Sequence, residues 1–336
     1  MDKNWDLLGH EWAVEMLKQH LTRNSVRHAY LFTGPPGLGR RTLALRFAQA
    51  LNCPTPTGPG DPCGKCKTCR QIERMQYTDL VVVQAEKEGG TLKVEQIRSL
   101  RQTLSLKPYQ GKYRVSLLLR FQEANQSASN ALLKTLEEAP SKDVLILTAD
   151  NAEQLLPTIV SRCETLRLRP LRVEEVEAYL KSCNADDSSA RLLAHISGGR
   201  PGYALRLMQD KDALKSRADR LDDMQTLLRS TRHERFAYAE KLTERKRKTF
   251  EAEESFRNTL LLWLSFWRDV LLRASGSGSP LTNVDYSAAV DSLAATLTMA
   301  GARKLVSDAE GAIEKLERNV NARLLAEVVL LDWPHM

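Results

Sequence analysis

The chain has 336 residues, 42% of them hydrophobic and 27% charged, with a formal net charge of +7. That length exceeds one ordinary core and predicts two or three domains, while the composition excludes a disordered or fibrous chain. The most apolar stretch, residues 260–272, is too short to span a bilayer and carries Arg268 and Asp269. Residues 1–12 lack the regions of a signal peptide, so a cytoplasmic protein is expected.

The N-terminal part alternates short aliphatic runs with helical patterns, which predicts an α/β fold around a parallel sheet. "AYLFTG" (29–34) reads as a buried strand that runs into a glycine loop. "RTLALRFAQAL" (41–51) follows as a helix with Leu43, Phe47 and Ala50 on one stripe. Further strands are expected at 79–84, 113–120 and 143–149, and a helix over 127–140 ending at Pro140. From Leu171 onward the pattern is helical only. The boundaries predicted are 1–166 for the sheet domain, 167–212 for a small helical module, and 213–336 for a larger helical domain with a flexible break at 274–283. Leu260, Trp263, Leu264, Trp267, Val270 and Leu271 recur at helical spacing and predict a packing face. The charge run at 232–257 mixes signs and predicts a solvated helix face; direct DNA contact through its basic half is the lesser alternative.

"GPPGLGRRT" (34–42) is nearly a phosphate-binding loop. Gly34 and Gly39 have the required spacing, and strand, loop and helix give the context in which backbone N–H groups face an anion. Arg40 stands where lysine belongs and Arg41 where a metal-binding hydroxyl belongs. Thr42 comes one position late, so its side chain points roughly 100° away. Such a loop is expected to hold an anion at most, not Mg·ATP.

Cys53, Cys63, Cys66 and Cys69 follow C-x₉-C-x₂-C-x₂-C, with Gly64 and Lys65 in the tight knuckle. Four thiolates at that spacing predict a tetrahedral structural Zn²⁺ with no open position for chemistry. Disulfides are the alternative, disfavoured in a reducing compartment. Cys163 and Cys183 are expected to be buried free thiols.

In fixed order, the loop, the cysteine cluster, "NALLKTLEEAP" (130–140), "SRC" (161–163) and "SGGRPGYAL" (197–205) resemble the bacterial DNA polymerase III clamp-loader subunits. The resemblance covers essentially the whole chain and is weakest toward the C-terminus. It implies an AAA+ α/β domain, a helical lid and a helical collar that holds an assembly together. Within the family the likeness is to the delta-prime type rather than the ATP-hydrolysing gamma/tau type, because of three departures. The first is the loop. The second is at Leu119 and Arg120, eleven and ten residues before Asn130, where the motor subunits carry Asp and Glu for Mg²⁺ and the attacking water. Glu123 is close in sequence but points elsewhere on a regular backbone. The third is Gly202, at the position of a phosphate-sensing arginine, flanked by Arg200 and Arg206.

The resemblance also implies that Arg162 of "SRC" is an arginine finger, used in trans on a neighbouring subunit's ATP. An ordinary surface arginine is the alternative. The expected partners are the gamma/tau motor subunits, the delta subunit, the sliding clamp and, through the assembly, primed DNA. Lys134 would face DNA phosphate, or its helix would be structural. The competing functions are an active gamma/tau-like ATPase and, less favoured, a zinc-containing DNA-binding module, for which 6% aromatic content offers no stacking platform.

Overall fold

The computed structural model describes residues 4–87, 89–105, 107–138, 142–243, 249–318 and 320–335. The chain divides into two compact units, Met1–Tyr179 with Gly199–Tyr203, and Leu180–Gly198 with Ala204–Met336. The first contains α1 (Glu11–Thr22), β1 (Ala29–Thr33), α2 (Arg40–Asn52), α3 (Lys67–Glu73), β2 (Leu80–Val83), α4 (Val94–Leu104) and β3 (Arg114–Leu118). It continues through α5 (Gln126–Glu137), β4 (Asp143–Ala149), α6 (Pro157–Val160), β5 (Glu164–Arg167) and most of α7 (Val173–Ser182).

Its five strands form one parallel sheet in the order β2-β3-β4-β1-β5. Parallel neighbours need crossover connections, and the helices supply them on both faces. Along β1, Tyr30 and Phe32 join a cluster with Trp5, Leu17 and Phe47, while Ala29 and Leu31 join one with Ile97, Leu132 and Leu145. Alternating side chains that are covered on both faces give a continuous apolar run, which is why β1 to β4 are legible in the sequence. β5 is not: both β2 and β5 lie at sheet edges, but β2 is aliphatic throughout, whereas β5 (ETLR) is mostly polar and Leu166 is its one buried residue. The predicted 127–140 helix ends as α5 at Glu137, and its expected stop, Pro140, lies outside the described residues.

The second unit holds α8 (Asp187–Ser197), the greater part of α9 (Pro201–Gln209), α10 (Lys211–Arg229), α11 (Arg232–Leu242), α12 (Thr249–Ala274), α13 (Ser287–Thr296), α14 (Met299–Glu317) and α15 (Ala322–Leu331). Leu260, Trp263, Trp267 and Val270 of α12 are buried as their spacing predicts, whereas Leu264 and Leu271 are half-buried. Trp263 and Trp267 meet Trp333 edge to face, with centroids 4.7 and 5.7 Å away. The break at 274–283 is anchored at its far end. The buried Asp269 carboxylate accepts from Thr282 N, Asn283 N and Asn283 Nδ2 at 2.9, 2.7 and 2.8 Å.

The charge run at 232–257 is not simply a solvated face. Residues 244–248 lie outside the described residues. Arg235, only 4% exposed, donates to the carbonyls of Leu227, Leu330, Trp333 and Pro334, each at 2.9 Å, and to Leu228 at 3.4 Å. These carbonyls belong to the last turns of α10 and α15 and to the residues just after α15, where helices leave acceptors without intrahelical partners and carry partial negative charge. The guanidinium thus replaces water at two helix ends, and burial lowers its pKa. Arg235→Met is expected to destabilise this unit by about 3–5 kcal/mol, read from urea unfolding, since several buried acceptors lose a charged donor at once. A loss within experimental error would show that water replaces the guanidinium without penalty.

Candidate functional site

The phosphate-loop region forms as predicted in outline: β1 ends at Thr33, residues 34–39 turn, and α2 begins at Arg40. Gly34 and Gly39, at the two ends, have φ of 138° and 89°, values that side chains disfavour. Arg40 does not point outward as a free cation. It is 8% exposed, and its Nη2 lies 2.6 Å from Asp150 Oδ1, just beyond β4. Nη1 is buried with no hydrogen-bond partner. Arg41 and Thr42 are exposed, and Arg41 Nη2 rests 3.4 Å from Met75 Sδ. The cation at the lysine position is therefore already neutralised by a carboxylate. That carboxylate would also repel an incoming polyphosphate.

At the end of β3, Leu119 is buried and Arg120 takes a left-handed conformation with φ of 49°. Arg120 Nε donates to Glu123 Oε1 at 2.8 Å, and the same oxygen accepts from Gly89 N at 2.9 Å. Glu123 Oε1 is thus tied to its own loop and to the segment at Gly89, while Oε2 is buried without a hydrogen-bond partner. No carboxylate occupies 119 or 120, the two positions at which the resemblance places a metal ligand and a base for water.

Gly202 opens α9 and packs directly on the loop. Its N–H donates to Gly37 O at 2.9 Å. A Cβ at Gly202 would sit 3.0 Å from Gly37 O, and one at Gly37 would sit 2.9 Å from Tyr203 N. Glycine on glycine permits this approach; a side chain at 202 would press its Cβ against the Gly37 carbonyl. Arg200 does not stand in for it, since its guanidinium stacks on Tyr203 at 4.6 Å.

Arg162 follows α6. Its Nη2 donates to Glu137 Oε1 of α5 at 2.7 Å and its Nη1 to Thr158 O at 3.0 Å, with the side chain 38% exposed. The guanidinium is held at two points yet remains at the surface. Next to it, Cys163 is half-buried and unpaired, its thiol pushed up to about 12 by burial. Cys183 is also half-buried rather than buried.

Cys53, Cys63, Cys66 and Cys69 converge, with their sulfurs all within 4.8 Å of one another. Cys63 and Cys69 sulfurs are 4.0 Å apart, close to the roughly 3.8 Å edge of a tetrahedral zinc–thiolate site. Backbone N–H groups of Cys63, Cys66 and Cys69 point at the sulfurs of Cys53, Cys63 and Cys66 at 3.3–3.4 Å, the donors that a thiolate cluster needs. The Thr55 hydroxyl holds the Cys63 thiol down to about 6, while burial pushes Cys53 and Cys69 up. The four residues suit one metal ion and leave it no open position.

Residues 9–172 match the family described as DNA polymerase III, delta subunit, and residues 212–335 match its C-terminal counterpart. The chain belongs to the DNA polymerase III clamp-loader subunit family. It is 28% identical over 321 residues to the Bacillus subtilis DNA polymerase III subunit delta', covering 95% of this chain and 94% of that one. It is 35% identical to the Salmonella typhimurium subunit tau over 52% of its own length, but spans only 27% of tau. A DNA polymerase III gamma subunit-related protein of Thermotoga maritima aligns over 95% of this chain and 97% of that one, at 18% identity and a TM-score of 0.40. No described helix is long and apolar enough to cross a membrane.

In this clamp-loader family member, α4 and α5 also enclose a groove of about 580 Å³ that includes Arg98, Arg101, Gln102, Ser127, Asn130 and Lys134. Lys134 was legible in the sequence, but Arg98 and Arg101 were not, because only tertiary packing brings α4 beside α5. Asp150 was missed for the same reason: it is 110 residues from Arg40.

Proposed function

We propose that this chain is a delta-prime-type clamp-loader subunit that does not hydrolyse ATP and lends Arg162 to the ATP site of a neighbouring gamma/tau motor subunit. The observation that carries the first half is Arg40, buried and paired with Asp150 where a free loop lysine would meet phosphate. Leu119 and Arg120 at the end of β3, and Gly202 against the loop, support it. Coverage favours the same type, since the match extends along nearly all of the Bacillus delta' but only a quarter of tau.

The second half rests on Arg162, exposed and oriented by Glu137 and Thr158 O. A guanidinium presented in this way to a γ-phosphate would stabilise the charge that builds during phosphoryl transfer. The remaining partners are a delta subunit, the sliding clamp and primed DNA, with the basic α4–α5 groove around Lys134 turned to the phosphate backbone. Domains at 1–166, 167–212 and 213–336 would act as AAA+ body, lid and collar, in the cytoplasm. The cysteine centre would hold one structural Zn²⁺ through Cys53, Cys63, Cys66 and Cys69, which stiffens the knuckle and takes no part in catalysis.

The isolated chain should release no phosphate from Mg·ATP above background. Arg40→Lys should not restore turnover, since carboxylates at 119 and 120 would still be missing. Turnover that disappears when the loop is altered would overturn the assignment.

A further inference from the structure

The cysteine module carries an uncompensated basic face that the proposed function leaves unused. Lys65, Lys67, Arg70 and Arg74 are all exposed, and Arg41 reaches the same place through its contact with Met75. On α3 and its C-cap, positions 67, 70 and 74 fall within an arc of about 60° at 100° per residue. Cys69 and Ile72 of the same helix are buried on the inward side. The two acids of the segment 61–75 are both taken. Asp61 accepts from Lys18 at 2.7 Å and from Trp5 Nε1 at 3.2 Å, and Glu73 from Arg46 at 2.5 Å and Gln49 at 3.1 Å. Among the described residues none of the five cations has an acidic partner. A zinc ion with four thiolates would leave a charge of about −2 in the knuckle, which is fewer than the cations around it.

We infer that this face, Lys65, Lys67, Arg70, Arg74 and Arg41, binds the phosphate backbone of a nucleic acid. The three helical cations rise about 4.5 and 6 Å apart along α3, a row suited to successive charges on one strand. No exposed aromatic side chain lies among them, so contact is with phosphate rather than with stacked bases, and binding is sequence-independent and salt-sensitive. This surface is separate from the α4–α5 groove and independent of the Arg162 assignment.

The test follows binding of the full chain to a labelled single strand and to a primer–template duplex by anisotropy, from about 50 to 200 mM salt. Lys67→Gln/Arg70→Gln/Arg74→Gln should weaken binding at low salt by about 10-fold or more. On the single strand it should reduce the slope of log K against log salt by roughly 2, at about 0.7 per lost phosphate contact. Metal content and melting should stay unchanged. Arg74→Gln alone, farthest from the cysteines, should reduce the slope by about 0.7 and serves if the triple variant misfolds. Wild-type affinity and slope in these variants would overturn the inference, as would binding lost wholly through Arg98→Gln/Arg101→Gln. An acidic peptide of equal charge that binds this face more tightly than either strand would also overturn it.

Discussion

Arg162→Ala, built into an assembled complex, is expected to abolish nearly all turnover at the single ATP site that the proposed function assigns to the residue. Arginine fingers contribute about 10³ to 10⁵ in rate, or roughly 4 to 7 kcal/mol of transition-state stabilisation. In the free subunit the guanidinium already has Glu137 and Thr158 O as partners, so its removal breaks one exposed ion pair and changes subunit stability little. Assembly should therefore survive while chemistry at that site fails. Because a clamp loader has several motor sites, total hydrolysis should fall by the share of one of them. Gel filtration establishes composition, and DNA- and clamp-stimulated phosphate release gives the rate. Wild-type hydrolysis and clamp loading in a correctly assembled mutant would make Arg162 an ordinary surface residue.

Loss of the cysteine centre is expected to have the second largest effect, and a local one. Structural zinc contributes apparent binding energies of about 10–16 kcal/mol in small finger peptides at neutral pH. Here the module is tied to the sheet domain by Gln49 Nε2, which donates to Cys69 O at 2.8 Å, and by buried Ile72. Cys66→Ala should bring bound zinc from one equivalent to less than about a tenth and expose the 53–75 backbone to hydrogen exchange, with the sheet still protected. Metal analysis and exchange mapping measure both. Full zinc content in the variant would remove Cys66 from the ligand set. Binding must also strip protons from Cys53 and Cys69, whose thiols burial raises, so zinc affinity should rise with pH and fall on acidification toward the Cys63 value of about 6. A chelator competition that is flat with pH would contradict thiolate ligation by these residues.

The departures on which the proposed delta-prime-type reading rests are single-residue chemistry, which is why they could be read directly. Arg40, Arg41, Leu119, Arg120 and Gly202 differ from the motor pattern of the resemblance whatever the tertiary structure does. What the sequence could not express is how the vacated roles are filled. Arg40 turns inward to Asp150, and Gly202 closes on Gly37, because residues more than a hundred positions apart meet only once the parallel sheet has formed. The charge run misled in a related way. Local pattern makes Arg235 one cation among many, whereas the packing of α11 against α15 brings it to five carbonyls at the ends of α10 and α15.

By itself, then, the sequence determined the strands with two covered faces, the four-cysteine spacing and the absent carboxylates, because each is written in neighbouring residues through periodicity or side-chain chemistry. Only the tertiary structure decided the strand order, the polar edge strand β5, the Arg40–Asp150 pair, the basic groove between α4 and α5, and the inward turn of Arg235. Each of those depends on which distant segments are brought within hydrogen-bonding or van der Waals reach, and no local pattern records that distance.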